Sequence, residues 1–199
     1  MGLIIAFEGH NGVGKTSVAR ELSNRLEANY FYGVDSDSLQ NGLKDKFIKE
    51  AYWFASAIHF LAGSMETKRK INKTNDKNIN ILDRSFWSTL AVHWDRKDRE
   101  KIIKVINLGK EFLPIPNLIF LLNASYDQCN NRIESKKNLK EKELDNIVDK
   151  NYFNKELDFY QWLLNNKDEQ TEIISIDTNK KNIEEITDIC EKYIRDRYF

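Results

Sequence analysis

Apolar and polar positions along the 199-residue chain follow two alternating rhythms. Short, mainly apolar runs of four or five residues have the length of strands buried on both faces. They fall at Leu3–Phe7, Tyr30–Val34, Ile79–Leu82, Leu118–Leu122 and Ile173–Ile176. Between them lie longer stretches in which apolar residues return every three or four positions, as Val18, Ala19, Leu22 and Leu26 do. These predict helices over Lys15–Ala28, Asp37–Glu50, Tyr52–Ile71, Phe86–Glu111, Tyr126–Lys136, Leu144–Asn165 and Ile183–Arg197. Strands alternating with helices predict an α/β fold, a three-layer arrangement around a five-stranded parallel sheet. Ligands of such sheets bind beyond the carboxyl ends of the strands, so functional residues are expected directly after each strand.

The first interval meets that expectation most sharply. Gly9 to Thr16 reads G-H-N-G-V-G-K-T, which fits G-x-x-x-x-G-K-[ST] at every fixed position, between an apolar run and a helical pattern. Gly9, Gly12 and Gly14 allow backbone conformations closed to residues with a Cβ, so successive N–H groups can turn inward around an anion. Lys15 adds a point charge within reach of outer phosphates, and Thr16 offers a hydroxyl to Mg²⁺. The helix that follows presents its N-terminal dipole to the same anion. The expected nucleotide contacts are therefore Gly9, His10, Asn11, Gly12, Val13, Gly14, Lys15, Thr16 and Ser17.

The other strand ends supply further chemistry. After the third strand comes Asp83-Arg84-Ser85. Asp83 can bind Mg²⁺ through water or accept a proton from an attacking group, and Arg84 can grip a phosphate with its two-pronged guanidinium. After the second strand comes Asp35-Ser36-Asp37, where Ser36 or Asp37 can cap a helix, or Asp35 or Asp37 can face an acceptor as its base. Tyr52-Trp53-Phe54 opens an aromatic helix, mostly core, in which the Phe54 ring is the candidate to stack on a nucleobase. His59 and His93 read as structural. Arg132, followed by Lys136 and Lys137, lies shortly after the fourth strand, and a lid is expected at about 136–145. A cation closing from there stabilises the charge that spreads over a transferred phosphoryl group.

Composition narrows the rest. Lys plus Arg and Asp plus Glu are both 31, so the formal net charge is zero and gives no bulk attraction to nucleic acid or anionic membranes. No apolar stretch approaches a membrane span, and the N-terminal apolar run lacks a signal peptide's basic lead. Cys129 and Cys190 read as reduced packing residues of a cytoplasmic protein, and no Cys or His spacing suggests zinc. The chain is expected to form one domain over residues 1–199, with no membrane or nucleic-acid partner.

Taken together, these segments resemble the thymidylate kinase branch of the P-loop nucleoside and nucleotide kinases. Phe7-Glu8-Gly9 resembles that family's loop entrance. Asp83-Arg84-Ser85-Phe86-Trp87-Ser88-Thr89-Leu90-Ala91 is similar to its D-R-Y-x-x-S-x-x-A-Y pattern. Pro116 to Leu122 followed by Arg132 resembles its fourth strand and lid-bearing helix, and Ile176-Asp177-Thr178 with Ile183 to Ile186 its last strand and closing helix. The resemblance implies ATP with Mg²⁺ as donor, a nucleoside monophosphate or nucleoside as acceptor, and often a homodimer. Lys15, Asp83, Arg84, Arg132 and Asp35 or Asp37 would then carry the transfer, and Phe54, Arg84 and Asp37 would hold the acceptor. The chain departs from the family where the acceptor binds. Asp35-Ser36-Asp37 stands in place of an Arg-Glu-Pro segment, and Phe54-Ala55-Ser56-Ala57-Ile58 in place of F-A-x-D-R. Two acceptor-gripping arginines are thus missing, which argues against dTMP and keeps open a kinase of a non-nucleotide small alcohol or a noncatalytic nucleotide-binding protein.

Overall fold

Each predicted apolar run becomes a strand in the computed structural model, which describes residues 2–34, 52–74, 79–95, 97–136 and 149–199. The strands are β1 (Ile4–Glu8), β2 (Asn29–Tyr32), β3 (Asn80–Asp83), β4 (Leu118–Asn123) and β5 (Glu172–Asp177). They form one sheet in the order β2-β3-β1-β4-β5, every pair parallel. The helices are α1 (Lys15–Arg25), α2 (Trp53–Ile71), α3 (Trp87–Val92), α4 (Arg99–Leu108), α5 (Tyr126–Lys136), α6 (Lys150–Asn166) and α7 (Ile183–Tyr198).

Side-chain alternation along the central strands divides the core into two layers. Ile4, Ala6, Leu82, Ile119 and Leu121 face α2, α3, α4 and α6. Ile5, Phe7, Ile81, Leu118, Phe120 and Leu122 face α1, α5 and α7. β1 is buried along its whole length, as expected of a strand covered on both sides. Its neighbours end in register with it: Phe7 pairs with Asp83 and with Phe120, so Glu8, the loop after it and the β3 terminus share one rim.

Differences from the sequence pattern have local causes. α1 stops at Arg25 rather than Ala28 because Glu27 turns left-handed (φ 50°). The Glu27 and Ala28 amides then donate back to Asn24 O (3.4 Å) and Ser23 O (2.9 Å), a Schellman ending. β2 stops at Tyr32, where the Gly33 amide donates to Asp83 O (3.0 Å). The single helix expected over Phe86–Glu111 is broken into α3, α4 and a short 3₁₀ turn at Lys110–Phe112. The break lets Trp94 bury its ring against Phe159 and Trp162, with Arg99 stacked over it and donating to Trp94 O (3.1 Å). α6 begins at Lys150, where the Asp149 side chain accepts from the Asn151 amide. The expected helix at Asp37–Glu50 and most of the expected lid lie outside the described residues, as do Asp35, Asp37 and Lys137.

Candidate active site

The loop between β1 and α1 is built on three left-handed glycines: Gly9 (φ 132°), Gly12 (φ 86°) and Gly14 (φ 104°). Two of them are also sites of close approach. A Cβ on Gly9 would lie 2.1 Å from Leu122 O, and one on Gly12 would lie 2.5 Å from Cys129 O. A Cβ on Gly14 would meet no atom of the described residues within 4 Å and would project into open space. α1 therefore starts with Gly14 as its N-cap, with no side-chain cap and no acidic residue in its first turn. By contrast, α7 closes its N-terminus with a full capping box from Asn182 and Glu185. The uncapped amides and positive dipole end of α1 are left for an exogenous anion.

Lys15 folds back onto the loop. Its ammonium donates to Gly9 O (2.7 Å) and His10 O (2.6 Å) and is buried. Burial, and next the charge of Arg84, push its pKa down to about 7. Lys15 and Arg84 both reach the loop, one through Gly9 O and His10 O and the other through the Asn11 side chain, and a polyphosphate bound there would offset the repulsion between them.

Arg84 follows β3 and is itself left-handed (φ 73°). Its guanidinium donates to the Asn11 side chain of the loop. Asp83, the last residue of β3, is buried, and its Oδ2 accepts from the Tyr30 hydroxyl (3.0 Å). The turn is clamped from below by Glu8, a fully buried carboxylate. Glu8 Oε1 accepts from the Ser85 amide (2.8 Å) and hydroxyl (2.7 Å), and Oε2 from Ser88 Oγ (2.8 Å) and Tyr160 OH (3.3 Å). Burial pushes the Glu8 carboxyl upward, and the Arg84 charge and these hydrogen bonds oppose that shift. From the β2 side, Gly33 presses against the Arg84–Ser85 peptide.

Arg132 sits on the far side of the loop. It donates to Thr178 Oγ1 (3.1 Å), Thr178 O (2.5 Å) and Gly12 O (3.5 Å), which ties α5 to the phosphate loop and the β5–α7 connection. Phe54 is half-buried on α2, packed against the core and edge-on to Trp53. Cys129 and Cys190 are buried free thiols. The arrangement thus brings the loop, Lys15, Asp83 and Arg84 to one rim and sets Arg132 at the loop's outer edge. The Glu8 clamp, Gly33 and a His10–Glu156 pair escaped the sequence reading. Only the spacing of Ser85 and Ser88, one helical turn apart and next to Asp83-Arg84, hinted at a buried partner.

The site fits a metal-bound nucleotide. Among the described residues, no group of three or more His, Cys, Asp or Glu could hold a metal alone. Mg²⁺ characteristically takes one or two protein oxygens together with substrate phosphates and water. Thr16, exposed in the first turn of α1, and Asp83 supply such oxygens. Among the described residues no helix is long and apolar enough to cross a membrane.

Comparison with known proteins agrees with this geometry. The thymidylate kinase family model matches residues 7–189. A protein described as a probable thymidylate kinase from Methanocaldococcus jannaschii is 26% identical over 97% of this chain and 96% of its own length. The structure of thymidylate kinase from Candida albicans superposes with a TM-score of 0.74 at 21% identity, covering 98% of this chain and 92% of that one. Deoxyadenosine kinase from M. mycoides with bound dATP superposes with a TM-score of 0.73 at 15% identity, covering 97% of this chain and all of that one.

Proposed function

The chain belongs to the thymidylate kinase family of ATP-dependent phosphotransferases, and we propose that it moves the ATP γ-phosphate to a nucleoside monophosphate or nucleoside held by Arg84 rather than by a set of arginines. The observation that carries this reading is the glycine-built loop at the uncapped start of α1, held by Lys15 through Gly9 O and His10 O and by Arg84 through the Asn11 side chain. We assign one cation to the donor side and the other to the acceptor side.

The roles follow from position. The loop amides and Lys15 hold the β- and γ-phosphates. Thr16 and Asp83 would hold Mg²⁺, which when bound would neutralise charge developing on the phosphates. Arg84, fixed in orientation by Asn11 and the Glu8 clamp, aims the acceptor. Arg132 braces the loop from the outer side and, with the lysines that follow it, adds positive charge. Phe54, on α2, is the ring assigned to stack on the acceptor's base. A nucleoside acceptor has to lose a proton, and Asp35 or Asp37 takes it. A monophosphate is already anionic and needs no base. Catalysis is then mostly positioning and charge stabilisation.

The test is acceptor-dependent ADP release with Mg-ATP and separate pools of nucleosides, nucleoside monophosphates and small alcohols. Release with either nucleoside-bearing pool supports the proposal. Release only with small alcohols, or none with any pool while ATP still binds, overturns it.

A further inference from the structure

His10, the second residue of the phosphate loop, points its ring not at solvent but into α6. Its Nδ1 lies 2.9 Å from Glu156 Oε2, and both side chains are buried. The ring stacks on Phe153 (centroids 3.9 Å apart, 18° between planes) and meets the edge of Tyr160 at 5.6 Å. The second ring nitrogen, Nε2, is buried and has no hydrogen-bond partner among the described residues. An apolar pair in the same space would avoid both the orphaned nitrogen and the cost of burying a carboxylate. The pair is therefore an expensive way to pack a helix on a loop, and its value must lie in position.

The position it sets is that of the Lys15 cradle. His10 O and Gly9 O are the two acceptors of the Lys15 ammonium. α6 holds the residues on both sides of Gly9: Glu156 and Phe153 hold His10, and Tyr160 donates to Glu8. The Glu156 carboxylate is also close enough to raise the pKa of Lys15, against the lowering effects of burial and Arg84. α6 is anchored in turn, since Lys155 donates to Val92 O at the end of α3 (3.0 Å) and pairs with Asp95 (3.6 Å).

We propose that Glu156 is a positioning residue for nucleotide binding: through its hydrogen bond to His10 it fixes the opening of the phosphate loop and so ties α6 to the site that holds the polyphosphate. This rests on reading the loop as an ATP site. Neither residue needs to touch the reacting atoms.

The test is a double-mutant cycle on Mg-ATP affinity by calorimetry, with melting temperatures and the KM for ATP measured alongside. Glu156→Ala and His10→Ala should each weaken ATP binding by about tenfold at a temperature well below melting. The double variant should bind no worse than the weaker single one, because each substitution removes the same connection. Glu156→Gln, whose amide oxygen still accepts from Nδ1, should stay within about threefold of the original chain. A merely structural pair would lower the melting temperature without moving affinity. Affinities of the folded Ala variants within about twofold of the original, or losses that multiply in the double variant, overturn the proposal. Should Glu156→Ala fail to fold, Glu156→Asp keeps the charge but shortens the reach. Loss of affinity there supports the proposal, and unchanged affinity overturns it. ATP binding without transfer in the original chain would defeat the kinase reading and leave this cycle fully readable.

Discussion

Gly33 and Arg84 meet backbone to backbone: a Cβ at Gly33 would lie 2.1 Å from the Arg84 carbonyl oxygen and 2.8 Å from the Ser85 amide nitrogen. That approach places the end of β2 directly against the turn that aims the Arg84 guanidinium. Gly33→Ala is expected to destabilise the fold by about 1–3 kcal/mol, because the neighbours are backbone atoms that cannot rotate away. It should also raise the KM for the acceptor more than that for ATP. Chemical denaturation and steady-state kinetics check the two effects.

Lys15 gives a prediction whose sign depends on pH. Its pKa is held near 7 in the fold, against 10.5 for the unperturbed group. Between those values the unfolded chain binds the proton that the folded chain has released, so stability rises with pH from about 7 toward 10. Lys15→Met should lose that rise while remaining folded. An anion in the cradle restores the ammonium, so ATP binding should take up protons above pH 7. Turnover in Lys15→Met should fall at least about a thousandfold. Denaturation curves across the pH range and calorimetry in buffers of different ionisation heat read these effects.

Glu8 is the clamp under the Arg84 turn, and its loss should be felt in stability first. Glu8→Ala strands the Ser85 amide and two serine hydroxyls in the core and is expected to cost about 3–5 kcal/mol. Burial raises the Glu8 pKa above the unfolded value of 4.5. The folded chain then binds more protons than the unfolded chain just above pH 4.5, so this group's contribution to stability falls as pH rises through that window. Glu8→Gln should flatten that slope, as thermal melts at graded pH would show.

Arg132 joins the loop at Gly12 to Thr178 beyond β5. Arg132→Ala should weaken ATP binding by about tenfold while changing the KM for the acceptor little. Arg132→Lys should not restore it, since one ammonium cannot reproduce a guanidinium's span. Separate titrations of ATP and acceptor distinguish the two sides.

The sheet and the glycine loop were legible because they depend on short-range signals. Apolar runs marked all five strands, and the fixed spacing from Gly9 to Thr16 marked the loop. What the sequence concealed lies between residues far apart in the chain. His10 and Glu156 are separated by 146 positions, and Glu8 and Ser85 by 77. No periodicity connects them, since their meeting follows from strand order and helix packing. The break after α3 was hidden for a similar reason: helical spacing continues through His93 and Trp94, but burial of the Trp94 ring between Phe159 and Trp162 outweighs it. The acceptor side was the least legible, because Asp35-Ser36-Asp37 departs from the family pattern that would have identified it.

The most direct test of the central claim is to identify, by mass, the product formed from Mg-ATP and a nucleoside or nucleoside monophosphate with the original chain and with Lys15→Ala side by side. A base-bearing product heavier by one phosphoryl group, formed with stoichiometric ADP and absent with the variant, is the predicted result. Equal product with both proteins, or ADP with no phosphorylated acceptor, would contradict it.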